Sequence, residues 1–310
     1  MMYCFGVDIG GTTVKMGLFQ EDGIVCDKWE IKTRTENEGC MILPDIANAI
    51  CEKMKEHQIV KEKIVGIGVG VPAPVNEQGI VQKTANLGWG YKEVKHELEE
   101  ITGFAVKVGN DANVAALGEM WKGGGMGHKN LVMITLGTGV GGGIIIDGKI
   151  LTGTNGAAGE IGHITVNENE TEACGCGKKG CLEQYASATG VVRLAKRKLA
   201  ANDLATTLNV ETVSAKDVFD AVKSGDKVAI EIAEEFGKYL GKTMADISAL
   251  IDPSIYVIGG GVSKAGEILF DFIKEPYMDR AFFANKDVQF ALAKLGNDAG
   301  IYGAAKLVLS

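Results

Sequence analysis

Three cysteines and one histidine are spaced as ligands of a metal ion. Cys174, Cys176 and Cys181 fall within eight residues, and His163 precedes them. Three thiolates and one imidazole satisfy the tetrahedral Cys₃His set of a structural zinc, in which no open position remains for chemistry. The alternative is a group of reduced thiols without a metal. The polar, glycine-rich character of the segment favours zinc.

Two carboxylates flank this cysteine segment. Glu160 lies in the run Gly159-Glu160-Ile161-Gly162-His163, and Glu183 follows Cys181 by two residues. A sugar needs acceptors for several hydroxyl groups, and hydrogen bonds to charged groups are the strong ones. We therefore interpret these carboxylates as sugar ligands whose loop is ordered by the metal. Ordinary surface charge is the alternative, and it explains the position of Glu183 less well.

Asn110 and Asp111 precede a helical pattern that runs to about residue 122. Either residue is suited to cap the N-terminus of that helix. Asp111 is also suited to act as a general base that takes a proton from an attacking hydroxyl. The two roles are compatible, since each residue can serve one of them.

Glycine-rich turns between apolar segments indicate phosphate binding, because backbone N–H groups can approach an anion closely there. The first turn and its flanks supply Asp8, Gly10, Gly11, Thr12, Thr13 and Lys15, with Asp8 a candidate ligand of Mg²⁺. The second supplies Gly137, Thr138 and Gly139. Both lack the P-loop spacing. The second continues into a strand rather than a helix, which disfavours a dinucleotide-binding oxidoreductase.

A third glycine run, Gly259, Gly260 and Gly261, follows a short strand and precedes a helix. The absence of side chains would let an adenine or ribose lie flat against the backbone. Close packing of the helix explains the same glycines equally well.

The strands and helices that must position these residues indicate an α/β protein. Strands are predicted at 3–9, 14–19, 23–33, 64–71, 105–108, 130–136, 142–146, 254–258 and 287–291, and helices at 41–57, 91–102, 113–122, 187–198, 214–224, 226–251, 264–275 and 298–308. The order strand, glycine turn, strand, hairpin occurs twice. We interpret it as a duplicated unit, one per lobe, with chain crossings near residues 112 and 295.

Composition excludes several classes of protein. The 310 residues carry a net charge of −8, which argues against binding to nucleic acid. The apolar runs are too short to span a bilayer, and no signal peptide is indicated. Seven cysteines, three of them clustered, indicate cytosolic thiols with a metal site rather than disulfides. We therefore expect a cytoplasmic protein.

Across nearly the whole chain the motifs resemble those of the ROK family of sugar kinases and repressors, and most closely its bacterial glucokinases. They are D-x-G-G-T-x-x-K at 8–15, L-G-T-G-V-G-G-G at 136–143, G-E-I-G-H at 159–163 and C-x-C-G-x-x-G-C-x-E at 174–183. The resemblance implies a two-lobed, actin-like (hexokinase/ribonuclease H-like) α/β fold with ATP and sugar in the interlobe cleft. On this basis we expect a small lobe of residues 1–111 and 295–310 and a large lobe of 112–294.

The resemblance also implies residue roles. Asp111 would be the catalytic base, and the zinc ligands would be His163, Cys174, Cys176 and Cys181. Sugar hydroxyls would be held by Asn86, Asn110, Glu160, His163 and Glu183. His163 would then bind zinc through one ring nitrogen and a sugar hydroxyl through the other.

The implied activity is transfer of phosphate from Mg-ATP to the 6-hydroxyl of D-glucose. A kinase for N-acetylmannosamine, N-acetylglucosamine, allose or fructose is the nearest alternative, and donors such as polyphosphate or ADP stay open. A non-catalytic sugar-sensing regulator is disfavoured by Asp111 and the glycine turns. The chain starts directly on a strand, so we expect no preceding DNA-binding domain. Family members are commonly homodimers, and we expect one here.

Overall fold

The computed structural model describes residues 1–201 and 205–310, and it is built from two mixed sheets and helices. The strands are β1 (Tyr3–Ile9), β2 (Thr13–Gln20), β3 (Val25–Lys32), β4 (Ile64–Val71), β5 (Val106–Asn110), β6 (Leu131–Leu136), β7 (Val140–Ile146), β8 (Lys149–Ile150), β9 (Ile255–Gly259) and β10 (Gln289–Leu292). The helices are α1 (Glu36–Gly39), α2 (Ile42–Glu56), α3 (Val94–Thr102), α4 (Asp111–Lys122), α5 (Glu183–Ala186), α6 (Ala188–Ala201), α7 (Ala215–Lys223), α8 (Lys227–Ile251), α9 (Ile268–Arg280) and α10 (Ala299–Leu309).

The first sheet has the strand order β3-β2-β1-β4-β5. β1, β2 and β3 form an antiparallel meander, and β4 and β5 add in parallel to β1. The central strand β4 is apolar along its whole length because both faces of the sheet are covered there. Phe5, Val7 and Ile9 pack with residues of α2 and α3, whereas Cys4 packs on the other face against α10.

The second sheet has the order β10-β9-β6-β7-β8, and β9 pairs in parallel with both β6 and β10. The longest helix, α8, packs against α9 and buries Phe236, Leu240 and Met244. In each sheet a glycine turn connects two consecutive strands, β1 to β2 and β6 to β7. The duplicated strand–turn–strand pattern is therefore present.

The chain divides into two compact units. Unit 1 comprises Met1–Lys129, Gly143–Gly159 and Lys294–Ser310, and unit 2 comprises Asn130–Gly142 and Glu160–Ala293. The first crossing therefore falls after Lys129 and not near residue 112, where the sequence analysis placed it. The physical reason is that α4 packs along α10, with Gly118 of α4 against the backbone of Ala299, so α4 belongs with unit 1.

Helix α9 differs most from its predicted bounds. A helix is predicted at 264–275, but the structure has a 3₁₀ turn at Val262–Ala265 and then α9, which continues through Pro276. Proline removes the N–H that would bond to the carbonyl of Phe272. That carbonyl lies directly against Gly237 of α8, where any side chain would overlap it. The glycine lets α8 approach and support the helix at this point.

No helix among residues 1–201 and 205–310 is long and apolar enough to cross a membrane.

Candidate active site

The turn between β1 and β2 in unit 1 is closed by backbone hydrogen bonds. The Gly10 amide donates to the Thr13 carbonyl at 3.0 Å, and the hydroxyl of Thr33 donates to the Gly10 carbonyl at 2.7 Å. Thr33 is buried, and the sequence analysis did not single it out. A Cβ on Gly11 would lie 3.0 Å from the amide nitrogen of Asn86, so the candidate sugar ligand Asn86 lies beside this turn.

Asp8 ends the apolar part of β1 and lies at the first turn of α10. A side chain on Gly300 would overlap its carboxylate, so glycine is required there. Burial and, to a smaller extent, the negative charge of Asp111 raise the pKa of Asp8 to about 6, against the lowering effect of Lys15. Lys15 faces Asp8 across the β1–β2 pair and donates to the carbonyl of Asn297. Asp8 and Asp111 thus form an electrostatically coupled pair within unit 1.

The structure separates the two roles that the sequence left open at residues 110 and 111. The side-chain oxygen of Asn110 accepts from the amides of Ala112 and Asn113 at 3.0 and 3.2 Å, so Asn110 is the N-cap of α4. Its amide group donates to the carbonyl of Ala73 at 3.3 Å. Asp111 is therefore the first helical residue and is not needed as the cap. Its carboxylate accepts from the Ala112 amide at 2.8 Å.

The turn between β6 and β7 in unit 2 is joined to Glu183. The Gly137 amide donates to the Gly139 carbonyl at 3.0 Å, and the Gly137 carbonyl accepts from Ala188 at the start of α6 at 2.8 Å. A Cβ on Gly139 would lie 2.6 Å from a carboxylate oxygen of Glu183. The second glycine turn and the candidate sugar carboxylate are therefore direct neighbours.

The predicted metal ligands His163, Cys174, Cys176 and Cys181 converge. Their ligand atoms all lie within 4.8 Å of one another. The Sγ atoms of Cys176 and Cys181 are 3.6 Å apart, and Nδ1 of His163 is 3.8 Å from Sγ of Cys174. Tetrahedral zinc with Zn–S bonds of about 2.3 Å requires separations of about 3.8 Å between sulfur atoms. The donor set and its spacing therefore fit zinc.

The candidate sugar ligand Glu183 lies against this cluster. Oε1 of Glu183 accepts a hydrogen bond from Sγ of Cys174 at 2.8 Å and lies 3.8 Å from Nδ1 of His163. Glu160 is exposed and precedes the 3₁₀ turn Ile161–His163. Nδ1 of His163 faces the thiols. The binding of a sugar hydroxyl by its other ring nitrogen stays a prediction.

The third glycine run ends β9 and borders a cavity of about 360 Å³ in unit 2. Gly260 has a φ of 84°, and a Cβ on it would lie 2.6 Å from the backbone of Leu136. Gly261 lines the cavity together with the N-terminal face of α7, including Ser214, Lys216 and Phe219. No chemical motif marks α7 in the sequence. Its amphipathic spacing and its capping box at Ser214 predict only a helix.

A family model for the ROK family matches residues 4–310. The chain is a member of the ROK family. A glucokinase from Halalkalibacterium halodurans is 45% identical over 309 residues, which cover 98% of this chain and 94% of the relative. The crystal structure of a ROK glucokinase from Streptomyces griseus in complex with glucose and AMPPNP aligns with a TM-score of 0.74 and 35% identity over 98% of both chains. The structure of a ROK hexokinase from Thermus thermophilus aligns with a TM-score of 0.81 and 30% identity, covering 99% of this chain and 97% of the other.

These likenesses confirm the predicted actin-like, hexokinase-type α/β fold of this ROK protein. The candidate residues are divided between its two units. Unit 1 holds Asp8, Gly10, Gly11, Thr12, Thr13, Lys15, Asn86, Asn110 and Asp111, and unit 2 holds Gly137, Thr138, Gly139, Glu160, His163, Cys174, Cys176, Cys181, Glu183, Gly259, Gly260 and Gly261. The catalytic, substrate-binding and nucleotide-binding roles assigned to them stay predictions.

Proposed function

We propose that this ROK protein is a glucokinase that transfers the γ-phosphoryl group of Mg-ATP to the 6-hydroxyl of D-glucose. The observation that carries the proposal is the placement of Asp111 in unit 1. Asn110 caps α4, so Asp111 is the first residue of that helix, and its negative charge acts on Asp8 of the first glycine-turn motif. The likeness to glucokinases over nearly the full chain supports glucose as the substrate.

Asp111 is the proposed general base. It would accept or orient the proton of the attacking hydroxyl, a role that a carboxylate performs in phosphoryl transfer by kinases. Asn110 fixes the start of α4 by accepting from the amides of Ala112 and Asn113, and this holds the backbone of Asp111 in place. The side-chain amide group of Asn110 donates to the carbonyl of Ala73. Its proposed hydrogen bond to the sugar would therefore use the second N–H of that group.

Asp8 would hold Mg²⁺ directly or through water. When bound, the ion supplies charge neutralisation on the transferring phosphoryl group. The chain contributes the N–H groups of the glycine turns at 10–13 and 137–139, which can donate to phosphate oxygens. The cavity beside Gly261 and α7 is the proposed site of the adenosine end of ATP.

Glu160, His163 and Glu183 are proposed to bind glucose hydroxyls, as is Asn86. We propose that the metal of the cysteine cluster is zinc and that it orders the loop carrying Glu183. Four protein ligands leave no open position for catalysis. The seven cysteines, all within the described residues, are free thiols, which supports a reducing cytoplasmic location. A homodimer stays a prediction, and sedimentation measurements would test it.

The test begins with Asp111→Ala and Asp111→Asn. Both variants should lose at least about 10³-fold in kcat while retaining glucose binding measured by calorimetry, because the base acts in the transition state. Asp45→Asn is the matched control, since Asp45 also lies in the first turn of a helix of unit 1 but is paired with Arg34. Turnover of Asp111→Ala within about tenfold of the parent would refute the assignment of the base.

A substrate panel read by coupled ADP release tests the sugar. Glucose should give the highest kcat/KM, and preference for an N-acetylated hexose would contradict the glucose assignment. Absence of sugar-dependent ATP consumption would identify a sugar-binding regulator instead.

A further inference from the structure

A buried carboxylate, Glu170, lies behind the cysteine loop of unit 2. Its side chain is 2% exposed, yet it carries a charge that must be compensated. It accepts from the hydroxyl of Tyr185 at 2.6 Å and from both terminal nitrogens of Arg197 at 3.1 and 3.0 Å. It also forms an ion pair with Arg193, whose Nη2 lies 2.6 Å from a carboxylate oxygen of Glu170. The amides of the two following residues also donate to it, at 2.9 and 3.0 Å. The guanidinium of Arg197, with smaller contributions from Tyr185 and Arg193, holds the pKa of Glu170 far below its usual range.

These bonds join two segments that carry the candidate sugar site. Glu170 lies four residues before the metal ligand Cys174, and Tyr185 lies two residues after Glu183 on the short helix α5. A four-residue helix does not hold its own position, because it closes too few backbone hydrogen bonds. The orientation of Glu183 therefore depends on what anchors α5 from outside.

Gln184 and Arg193 extend the same network. The Gln184 carbonyl accepts from Nη1 of Arg193 at 3.2 Å, and its side chain accepts from the Cys181 amide at 3.1 Å and donates to the Glu172 carbonyl at 3.1 Å. Asn167 donates to the hydroxyl of Tyr185 at 2.8 Å. The two side chains that follow Glu183, Gln184 and Tyr185, are thus bound to the loop or to Glu170, while Glu183 itself faces Gly139 and the metal ligands.

We infer that Glu170, held by Arg193, Arg197 and Tyr185, is a positioning residue that fixes Glu183 and the cysteine loop for sugar binding independently of the metal. The inference rests on the proposed function, in which Glu183 binds the sugar. Glu170 touches neither the metal ligands nor Glu183. It acts through Tyr185 and through the chain leading to Cys174. The loop accordingly has two anchors, the metal cluster on one side and the ion cluster on the other.

Loss of the Glu170 anchor should change glucose binding but not the chemical step. Asp111 and the turn at 10–13 belong to unit 1, whereas Glu170 belongs to unit 2, so the chemical step should be spared. A looser Glu183 should weaken glucose binding. It should also let the metal ligands separate more readily, which speeds metal release.

The experiment compares Glu170→Gln with Glu172→Gln. Glu172 binds the same two arginines but its side chain is 60% exposed, so it is a matched control for loss of one charge next to them. Glu170→Gln should raise KM for glucose by about tenfold or more, with kcat within about threefold and KM for ATP within about twofold of the parent. It should also speed zinc release to a chromophoric chelator by about fivefold or more. Glu172→Gln should stay within about twofold of the parent in every measurement.

Tyr185→Phe is the variant to measure if Glu170→Gln does not fold. It removes one hydroxyl from the cluster while keeping the ring, and it should shift KM for glucose and zinc release in the same direction by about threefold. Folded Glu170→Gln or Tyr185→Phe with both quantities unchanged would overturn the inference. If the parent does not phosphorylate glucose, the proposed function fails. Zinc release still tests the cluster in that case, because it does not depend on the identity of the sugar.

Discussion

Asp8 should make the ligand-free protein less stable at neutral pH than a variant without its charge. The carboxyl lies against α10 and in the field of Asp111, and burial raises its pKa to about 6 from an ordinary value of 3.8. A group that binds its proton more tightly in the folded state than in the unfolded state stabilises the fold only while it is protonated. The stabilisation that the Asp8 carboxyl contributes is therefore complete below about pH 4, and it is lost as the pH rises through about 6.

The shift from 3.8 to about 6 is about 2 units, and one unit corresponds to about 1.4 kcal/mol, so the charged form of Asp8 costs on the order of 3 kcal/mol. Asp8→Asn removes the charge but keeps the size of the side chain. At pH 7 and without Mg²⁺ or nucleotide, the variant should be more stable than the parent by up to about 3 kcal/mol, and the difference should shrink towards zero near pH 4. Turnover should be lost, because the proposed ligand of Mg-ATP is gone.

Urea unfolding followed by tryptophan fluorescence measures this directly. The three tryptophans, Trp29, Trp89 and Trp121, all lie in unit 1, the unit that contains Asp8. Asp27→Asn is the control with the opposite sign, since Lys53 and His57 lower the pKa of Asp27. That variant should be less stable than the parent at pH 7. A stability difference for Asp8→Asn that does not change between pH 4 and 7, or a less stable variant at pH 7, would refute the reasoning.

Three further changes test other parts of the molecule. Cys176→Ala should reduce bound zinc, measured by atomic absorption, and weaken glucose binding more than ATP binding; unchanged sugar affinity in the zinc-free variant would contradict the structural role of the metal. Glu119→Ala should destabilise the protein by about 3 kcal/mol in urea unfolding, because the fully buried carboxylate accepts from the amides of Gly124, Lys294 and Leu295. Gly260→Ala should raise KM for ATP by about tenfold without altering glucose affinity, because its backbone has a positive φ and faces Leu136; equal effects on both ligands would contradict the assignment of the cavity to adenosine.

Local sequence patterns were sufficient to predict most of the strands and helices, because strand periodicity, helix periodicity and glycine turns are properties of short segments. The cap of α4 shows the limit of that approach. Asn110 and Asp111 have similar capping preferences, and the choice depends on where β5 ends, which varies by a residue or two in sequence-based assignment. Only the structure shows that Asn110 accepts from the amides of Ala112 and Asn113.

The features that sequence reasoning missed depend on pairs far apart in the chain. The predicted helix at 264–275 stops short of Pro276, and the support that lets α9 continue through it comes from Gly237 on α8. Arg197 and Glu170 are 27 residues apart, and neither belongs to a motif. Helical spacing places Arg193 and Arg197 on one face of α6, but nothing local indicates a buried carboxylate opposite them. The metal cluster was predictable because its four ligands lie within one short stretch.

The packing of α10 has a consequence for how the protein is made. α10 covers the face of the first sheet that includes Cys4 and Phe19, and its Gly300 lies on the Asp8 carboxylate. Lys15 and its backbone partner Asn297 are 282 positions apart. On the ribosome, the strands around Asp8 keep this apolar face uncovered until α10 has also been translated, and all of unit 2 lies between them in the chain. The growing chain should therefore need protection by chaperones during that interval, and the candidate magnesium-binding carboxylate should reach its final surroundings only after α10 has emerged.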